Sequence, residues 1–286
     1  MPIAFNHINT GIDEKGIYCT INGKLNRKPF PYNLNSFLTE VEQIKLYKMG
    51  NDRDLNPILE DGTKTQPFNL IWDVATLQLE RLPSYKEFID CYIKSYCEYT
   101  PDNFIRYKKY YESTPFVFTY KALAVRAYKI YFSFVREYHL YLKLKEANLN
   151  VFINREDDYM ERIDIGVIKD EVLYILDTSL NSQRANNFEK HKLTNRRNNK
   201  LDECSKKLME KYSCKYYVRV PLKATPFKDN IAYNTQSVGK FELYADWFVD
   251  LLIFFIRNVP ITHDVNLDAD YFIYHHKENE STTELF

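Results

Sequence analysis

Two short stretches of the chain have the hydrophobic pattern of β-strands, and each contains one aspartate. Apolar residues at positions 163, 165 and 167 alternate with polar residues or glycine at 162, 164 and 166, which is the period of a strand with one buried face. Residues 172–176 form a continuous apolar and aromatic run that is typical of a strand buried on both faces. The pattern predicts a β-hairpin in which Asp164 lies on the first strand and Asp177 ends the second.

The turn of this hairpin determines whether the two aspartates meet, because a shift of one residue in register moves every side chain to the opposite face. A two-residue turn at Lys169 and Asp170 would pair Asp164 with Ile175. Asp177 would then lie diagonally from Asp164 on the same face, at a Cβ separation somewhat under about 7–8 Å, and both carboxylates would reach one hydrated metal ion. A three-residue turn would separate them. We expect the two-residue turn.

Helical and strand patterns cover most of the remaining chain. Ser84 and Glu87 form the S-x-x-E capping box that starts a helix. The stretch 120–147 contains neither glycine nor proline and is predicted to be one long helix. The predicted helices are 34–49, 84–97, 120–147, about 183–213 and 243–258; the predicted strands are 16–21, 68–72, 151–153 and 215–222, with a turn at 155–159.

The order of these elements predicts the fold class and the division of the chain. Residues 120–222 are predicted to form, in order, a helix, three strands, a helix and a further strand. We therefore expect an α/β (α+β) core at 120–260, which the apolar helix at 243–258 closes. A partly helical N-terminal accessory region at 1–119 precedes this core, and a polar C-terminal tail at 261–286 follows it.

Composition limits the classes of protein that are compatible with the sequence. The 286 residues are 45% hydrophobic and carry a formal net charge of zero, which is ordinary for a globular protein and excludes a globally basic chain. The five cysteines include no C-x-x-C pair, which argues against a zinc site and indicates reduced thiols. With no basic and apolar leader, and with residues 247–259 too short to span a bilayer, we expect a cytoplasmic protein without a membrane partner.

Positive charge is concentrated directly after the hairpin. Between residues 184 and 200 six lysines and arginines face a single acidic residue, Glu189. Such a segment is usually a solvated face, but beside two aspartates it is also suited to bind phosphate groups of nucleic acid. The predicted nucleic-acid-binding residues are Arg184, Lys190, Lys192, Arg196 and Arg197.

The order helix, strand, strand, strand, helix, strand resembles the core of the PD-(D/E)XK nuclease superfamily, the restriction-endonuclease-like fold, over roughly a third of the chain. The resemblance implies that Asp164 and Asp177 bind Mg²⁺ or Mn²⁺ and that Glu137, on the first helix, joins them at the catalytic site. The function that it implies is metal-dependent hydrolysis of phosphodiester bonds, with DNA as the expected substrate. A divalent ion supports this chemistry because it lowers the pKa of water and neutralises charge on the phosphate.

One position departs from the pattern of that family. Ser179 occupies the place, two residues after Asp177, where the family has a lysine. On a helix beginning near Gln183, Lys190 would face the same side as Gln183 while Lys192 points about 200° away, so Lys190 is the predicted fourth catalytic residue.

The missing lysine also supports an alternative, a catalytically inactive nuclease-like domain that acts as a nucleic-acid-binding or assembly module. The choice between DNA and RNA is open at this stage. It is also open whether the N-terminal region mediates homo-oligomer formation or binds a partner protein.

Overall fold

The computed structural model describes residues 8–47, 68–99, 116–161, 163–180, 195–225 and 234–267. The chain divides into two compact units, residues 1–134 and residues 135–286. The boundary falls inside a long helix, so that helix contributes residues to both units. The domain boundaries predicted from the sequence, at 119/120 and 260/261, stay a prediction.

Unit 1 combines a small antiparallel sheet with helices. Strands β1, β2 and β3 follow one another as a meander, and β2 pairs with both neighbours. The predicted strand at 16–21 is confirmed as β2. The described elements are β1 (Ile8–Asp13), β2 (Gly16–Ile21), β3 (Lys24–Lys28), α1 (Leu34–Gln43), α2 (Phe68–Leu79), α3 (Tyr85–Tyr99) and the first part of α4 (Phe116–Glu146).

The interior of unit 1 is built from aromatic rings. The indole of Trp72 lies edge-on to two of them, with centroids 4.8 Å from Tyr131 and 5.4 Å from Phe88. Phe134 packs against both Trp72 and Phe88. The buried hydroxyl of Tyr131 donates to the carbonyl of Pro83 at 2.6 Å, so this polar atom is satisfied inside the core.

Two predictions for unit 1 are wrong in part. Residues 68–72 were expected to be a strand but begin helix α2, because a short apolar run does not distinguish a buried strand from a helix that is buried on several sides. Helix α1 ends at Gln43 rather than at residue 49, since Ile44 is already extended with ψ 119°.

The predicted capping box at the start of α3 is confirmed. The amide of Ser84 donates to the Glu87 carboxylate at 2.8 Å, and the amide of Glu87 donates to the Ser84 hydroxyl at 3.3 Å.

Unit 2 contains a mixed sheet with helices on both faces. Five of its strands lie in the order β10, β7, β6, β5, β4; β4, β5 and β6 are antiparallel neighbours, whereas β6 and β7 run parallel, as do β7 and β10. A mixed α and β architecture was predicted and is confirmed at this level. The elements are the end of α4, β4 (Asn150–Asn154), α5 (Arg155–Glu161), β5 (Ile165–Lys169), β6 (Val172–Leu180), α6 (Asn195–Lys211), β7 (Tyr216–Ala224), β8 (Thr235–Val238), β9 (Phe241–Tyr244), α7 (Asp246–Asn258) and β10 (Val265–Asn266).

The central strand β6 is covered on both faces. Leu173 and Ile175 belong to a core cluster with Leu208 of α6. Tyr174, which points the other way because side chains alternate along a strand, lies 6.1 Å from the Phe255 ring of α7 and donates to the carbonyl of Ile256. The continuous apolar run at 172–176 therefore reflects burial of both faces, as the sequence predicted.

Two assignments in unit 2 differ from the predictions, and a third is only partly described. Residues 155–159 were expected to be a turn but lie in α5, whose first amides bond to the Asn154 side chain at 3.1 and 3.4 Å, an N-cap arrangement. The last helix begins at Asp246 instead of residue 243, because residues 241–244 pair with β8. The helix expected from about residue 183 is described only from Asn195, since residues 181–194 lie outside the described part of the chain.

Among the described residues, we find no helix with the length and hydrophobicity that a membrane span requires.

Candidate functional site

The hairpin of β5 and β6 has a two-residue turn, but one residue later than predicted. Lys169 pairs with Val172, so the turn residues are Asp170 and Glu171, with φ of 50° and 63°. Positive φ at both central residues is the conformation that matches the twist of a tight hairpin. The predicted pairing of Asp164 with Ile175 is therefore wrong.

The observed register pairs the residues next to the two aspartates. Ile165 pairs with Leu176, and Asp164 lies in the bend just before Ile165. The paired residues begin at Ile165, so Asp164 itself is not paired with Asp177. That the two side chains share one face of the hairpin stays a prediction.

Asp164 is held in place by the residue that follows Asp177. Its Oδ2 accepts hydrogen bonds from the backbone amide of Thr178 at 2.5 Å and from the Thr178 hydroxyl at 2.9 Å. Burial raises the pKa of Asp164 even though these bonds and the positive charges of Arg155 and Arg219 act to lower it. The ionised carboxylate is therefore held in a place that disfavours its charge.

Asp177 is paired with an arginine from the neighbouring strand. Its Oδ2 accepts from Nη1 of Arg219 on β7 at 2.6 Å, and the Asp177 side chain remains about a third exposed, at 34%. Arg219 is itself buried, and its Nε donates to the Ser205 hydroxyl on α6 at 3.3 Å. The guanidinium thus joins β6 to the helix that covers this face.

Glu137 forms a second buried ion pair. Its Oε2 accepts from Nη1 of Arg155 at 2.8 Å, and only 8% and 1% of the two side chains are exposed. Glu137 lies on α4, and Arg155 is the first residue of α5. The preceding residue, Arg136, is also buried and donates from Nε to the carbonyl of Glu242 at 3.1 Å.

The predicted carboxylates therefore lie in one neighbourhood of unit 2. The positive charges of Arg155 and Arg219 both act to lower the pKa of Asp164. Arg155 is paired with Glu137, and Arg219 is paired with Asp177. We refer to this set as the carboxylate–arginine cluster: Glu137, Arg155, Asp164, Asp177 and Arg219.

Sequence analysis missed both arginines and Thr178. Arg219 interrupts the strand sequence Tyr-Tyr-Val-Arg-Val, and an arginine inside a central strand must find a partner when it is buried. That interruption could have identified Arg219 from the sequence. The sequence around Arg155, which follows Asn154, contains no comparable signal.

The predicted basic residues are only partly described. Arg184, Lys190 and Lys192 lie outside the described residues. Arg196 and Arg197 belong to the first turn of α6, and only their backbone positions are described. The roles assigned to these five residues stay predictions.

Asp164 and Asp177 fit a divalent ion by their chemistry. Carboxylate oxygens suit Mg²⁺, which usually keeps several waters and binds through only one or two protein carboxylates. Three or more His, Cys, Asp or Glu side chains do not converge as a metal-binding group anywhere in the described residues, so the candidate ligand set is this pair. A cation beside Asp164 would favour the ionised form that burial disfavours.

Comparisons of the chain with protein-family models, with curated proteins and with solved structures found no match.

Proposed function

We propose that unit 2 is a metal-dependent nuclease domain that hydrolyses phosphodiester bonds, with Mg²⁺ or Mn²⁺ held by Asp164 and Asp177. The observation that carries the proposal is the position of Asp164: its carboxylate accepts two hydrogen bonds from Thr178, the residue after Asp177, in surroundings that raise the pKa of Asp164. A carboxylate kept where its charge is disfavoured is a candidate functional group.

The ion, when bound, would lower the pKa of an attacking water and neutralise charge on the phosphate. The residues of the chain would set the geometry. Thr178 fixes one oxygen of Asp164, and Arg219 fixes one oxygen of Asp177. Arg155 holds Glu137 in the same neighbourhood through an ion pair, and Glu137 is not assigned as a metal ligand.

Two features of the chain support nucleic acid as the substrate. The order α4, β4, β5, β6, α6, β7 is the order on which the resemblance to the PD-(D/E)XK superfamily rests, with the short helix α5 inserted. The basic segment begins at Arg184, seven residues after Asp177. We propose that this segment binds flanking phosphates and that Lys190 replaces the lysine absent at Ser179.

Cleavage of supercoiled plasmid, single-stranded DNA and RNA in the presence of Mg²⁺, Mn²⁺ or EDTA tests the proposal. Asp164→Asn and Asp177→Asn should each lower the metal-dependent rate by at least about a hundredfold, since each removes an ionised ligand. Asp170→Asn, in the exposed turn of the same hairpin, is the matched control. Equal rates for wild type and both site variants would refute the proposal.

Lys190 has its own test. Lys190→Ala should abolish cleavage and leave the folded structure intact, because the ammonium would have to lie within about 2.6–3.2 Å of the attacking water or reach it through one further water. Lys192→Ala is the control, since on a helix Lys192 faces away from Lys190 and should affect binding alone. Similar losses in both variants would assign both lysines to binding.

A second function is favoured by the arginine pairs. Arg155 and Arg219 already balance the charges of Glu137 and Asp177, and Ser179 lacks the ammonium of the family's lysine. These features suit an inactive nuclease-like module that binds nucleic acid. Two results together would support this function. The wild-type protein would be inert with both metals, and DNA binding would lose its salt dependence in the double variant Arg196→Glu/Arg197→Glu.

A further inference from the structure

A cavity of about 350 Å³ lies in unit 1, between the β2–β3 hairpin and helix α2. It exists because α2 packs mainly over β1 and β2 and leaves the same face of β3 less covered. Its volume is at the lower end of the range of small-molecule sites and too small for a folded partner.

The cavity has an apolar floor and a polar rim. Cys19 pairs with Asn26 and Ile21 with Lys24, so each pair places an apolar β2 side chain beside a polar β3 side chain on the same face. Burial, with a smaller contribution from the charge of Asp73, raises the pKa of the Cys19 thiol to about 11. The floor is therefore uncharged at neutral pH.

Helix α2 supplies the opposite wall. Val74 and Leu77 continue the apolar surface, and Gln78 adds a carboxamide at the rim. Asn22, in the turn between β2 and β3, adds another. Three carboxamides, those of Asn22, Asn26 and Gln78, thus surround a space whose interior is apolar.

The polar side chains of the rim are available to a ligand. In the described part of the chain, the side chains of Asn22, Lys24, Asn26 and Gln78 make no hydrogen bond or ion pair. The other two cations of β3 are paired, Arg27 with Asp13 and Lys28 with Glu80. Lys24 is thus a free positive charge at a cavity whose described lining contains no carboxylate.

We propose that this cavity binds a nucleobase together with its phosphate, adenine in preference to the other bases. One carboxamide of Asn or Gln can make two hydrogen bonds to an adenine, at its N6 and N7 positions. The apolar lining suits an uncharged ring, and Lys24 supplies a cation for the phosphate. The same chemistry is offered by a free nucleotide and by a base of a single strand. The inference rests on unit 1 alone and does not depend on hydrolysis in unit 2.

Binding of AMP by calorimetry, and of fluorescein-labelled short oligo-dA and oligo-dT by anisotropy, tests this inference on the full chain. Asn26→Ala and Gln78→Ala should each weaken AMP and oligo-dA binding by about tenfold or more, and Lys24→Gln should weaken both ligands and lower the salt dependence. Asn35→Ala on α1 and Lys15→Gln in the β1–β2 turn are the matched controls, and circular dichroism verifies that every variant is folded.

The outcomes separate the two sources of the base. Binding of AMP identifies a free nucleotide as sufficient, whereas binding of oligo-dA without AMP identifies a strand of nucleic acid. Equal affinity for oligo-dA and oligo-dT would overturn the assignment of adenine. A wild type that binds neither ligand, or rim variants that bind both as tightly as the controls, would overturn the site, whatever the cleavage assay on Asp164 and Asp177 shows.

Discussion

The two units fill their interiors in different ways. Unit 1 is packed with rings, of which Trp72, Tyr131 and Phe134 are neighbours. Among the described residues of unit 2, several charged side chains are buried: Arg136, Glu137, Arg155, Asp157 and Arg219. In unit 1 the only buried charged residue of the described part is Asp73, which accepts from the Thr10 hydroxyl at 3.0 Å.

The contrast indicates where to look for function in each unit. Rings in a core stabilise by burying large apolar areas, so the interior of unit 1 needs no further explanation, and its candidate site lies at an uncovered surface. Buried ion pairs often stabilise no more than apolar residues of the same volume would. The buried charges of unit 2 therefore indicate where to test for a role beyond stability.

The largest expected effect concerns the aromatic interior. Trp72→Ala should lower the free energy of unfolding by about 4–5 kcal/mol, because it removes a fully buried indole and leaves a cavity among three rings. Urea unfolding followed by circular dichroism measures it. Trp247→Ala, at the half-buried second tryptophan, should cost clearly less; equal losses would show that unit 1 does not depend on its ring cluster.

The next effect concerns the buried ion pair. Arg155→Met should destabilise the protein by about 3 kcal/mol, since it leaves the charge of Glu137 buried without its partner. The double variant with Glu137→Leu should regain most of that loss. If it does not, the pair stabilises unit 2 in its own right and the contrast between the units weakens. Lys215→Met, in an exposed pair with Glu171, is the control, with no resolvable change expected.

A smaller effect is expected for a hydroxyl in the aromatic core. Tyr131→Phe removes the donor to the Pro83 carbonyl and should cost about 1 kcal/mol. Tyr128→Phe, at a half-buried ring on the same helix, is the matched control. Thermal unfolding of the two variants measures the difference; a Tyr131→Phe protein as stable as the control would show that the buried hydroxyl contributes nothing to the core.

The smallest effect concerns Asp164 and depends on pH. Burial holds the folded-state pKa of Asp164 above its ordinary value of 3.8, so the ionised carboxylate destabilises the folded state as the pH rises through that pKa. Asp164→Asn should therefore give a small gain in stability at neutral pH that declines as the pH falls through the folded-state pKa and is lost below the ordinary value of 3.8. Asp250→Asn, on the exposed side of α7, is the control in unfolding experiments across this pH range.

The prediction for Asp164 links stability to function. A residue whose replacement stabilises the fold while reducing cleavage would be one retained for activity at the expense of stability. If Asp164→Asn destabilised the protein at neutral pH, its bonds to Thr178 would outweigh the effect of burial. The aspartate would then be a structural member of the hairpin.

Local features of the fold were predictable because they depend on neighbours a few residues apart. The alternation before Lys169, the apolar run of β6 and the capping box of Ser84 and Glu87 all led to the correct type of element. They also placed Asp164 and Asp177 in one hairpin, but Asp164 lies just before β5, and β6 continues past Asp177 to Leu180. Composition placed the chain among globular proteins, and the order of the elements predicted a mixed α and β fold.

The arrangement of charges was decided only by the tertiary structure. Arg155 is 18 residues from Glu137, and Arg219 is 42 residues from Asp177, and no local pattern joins such pairs. The strand assigned to 68–72 became a helix because its apolar residues are buried among rings from distant segments. The turn lies at Asp170 and Glu171, both with positive φ, which the alternation of apolar residues did not predict. Sequence alone thus predicted the type of most long elements, because propensity and capping are local. Register and burial, which bring residues together across the sheet, determined which charges meet.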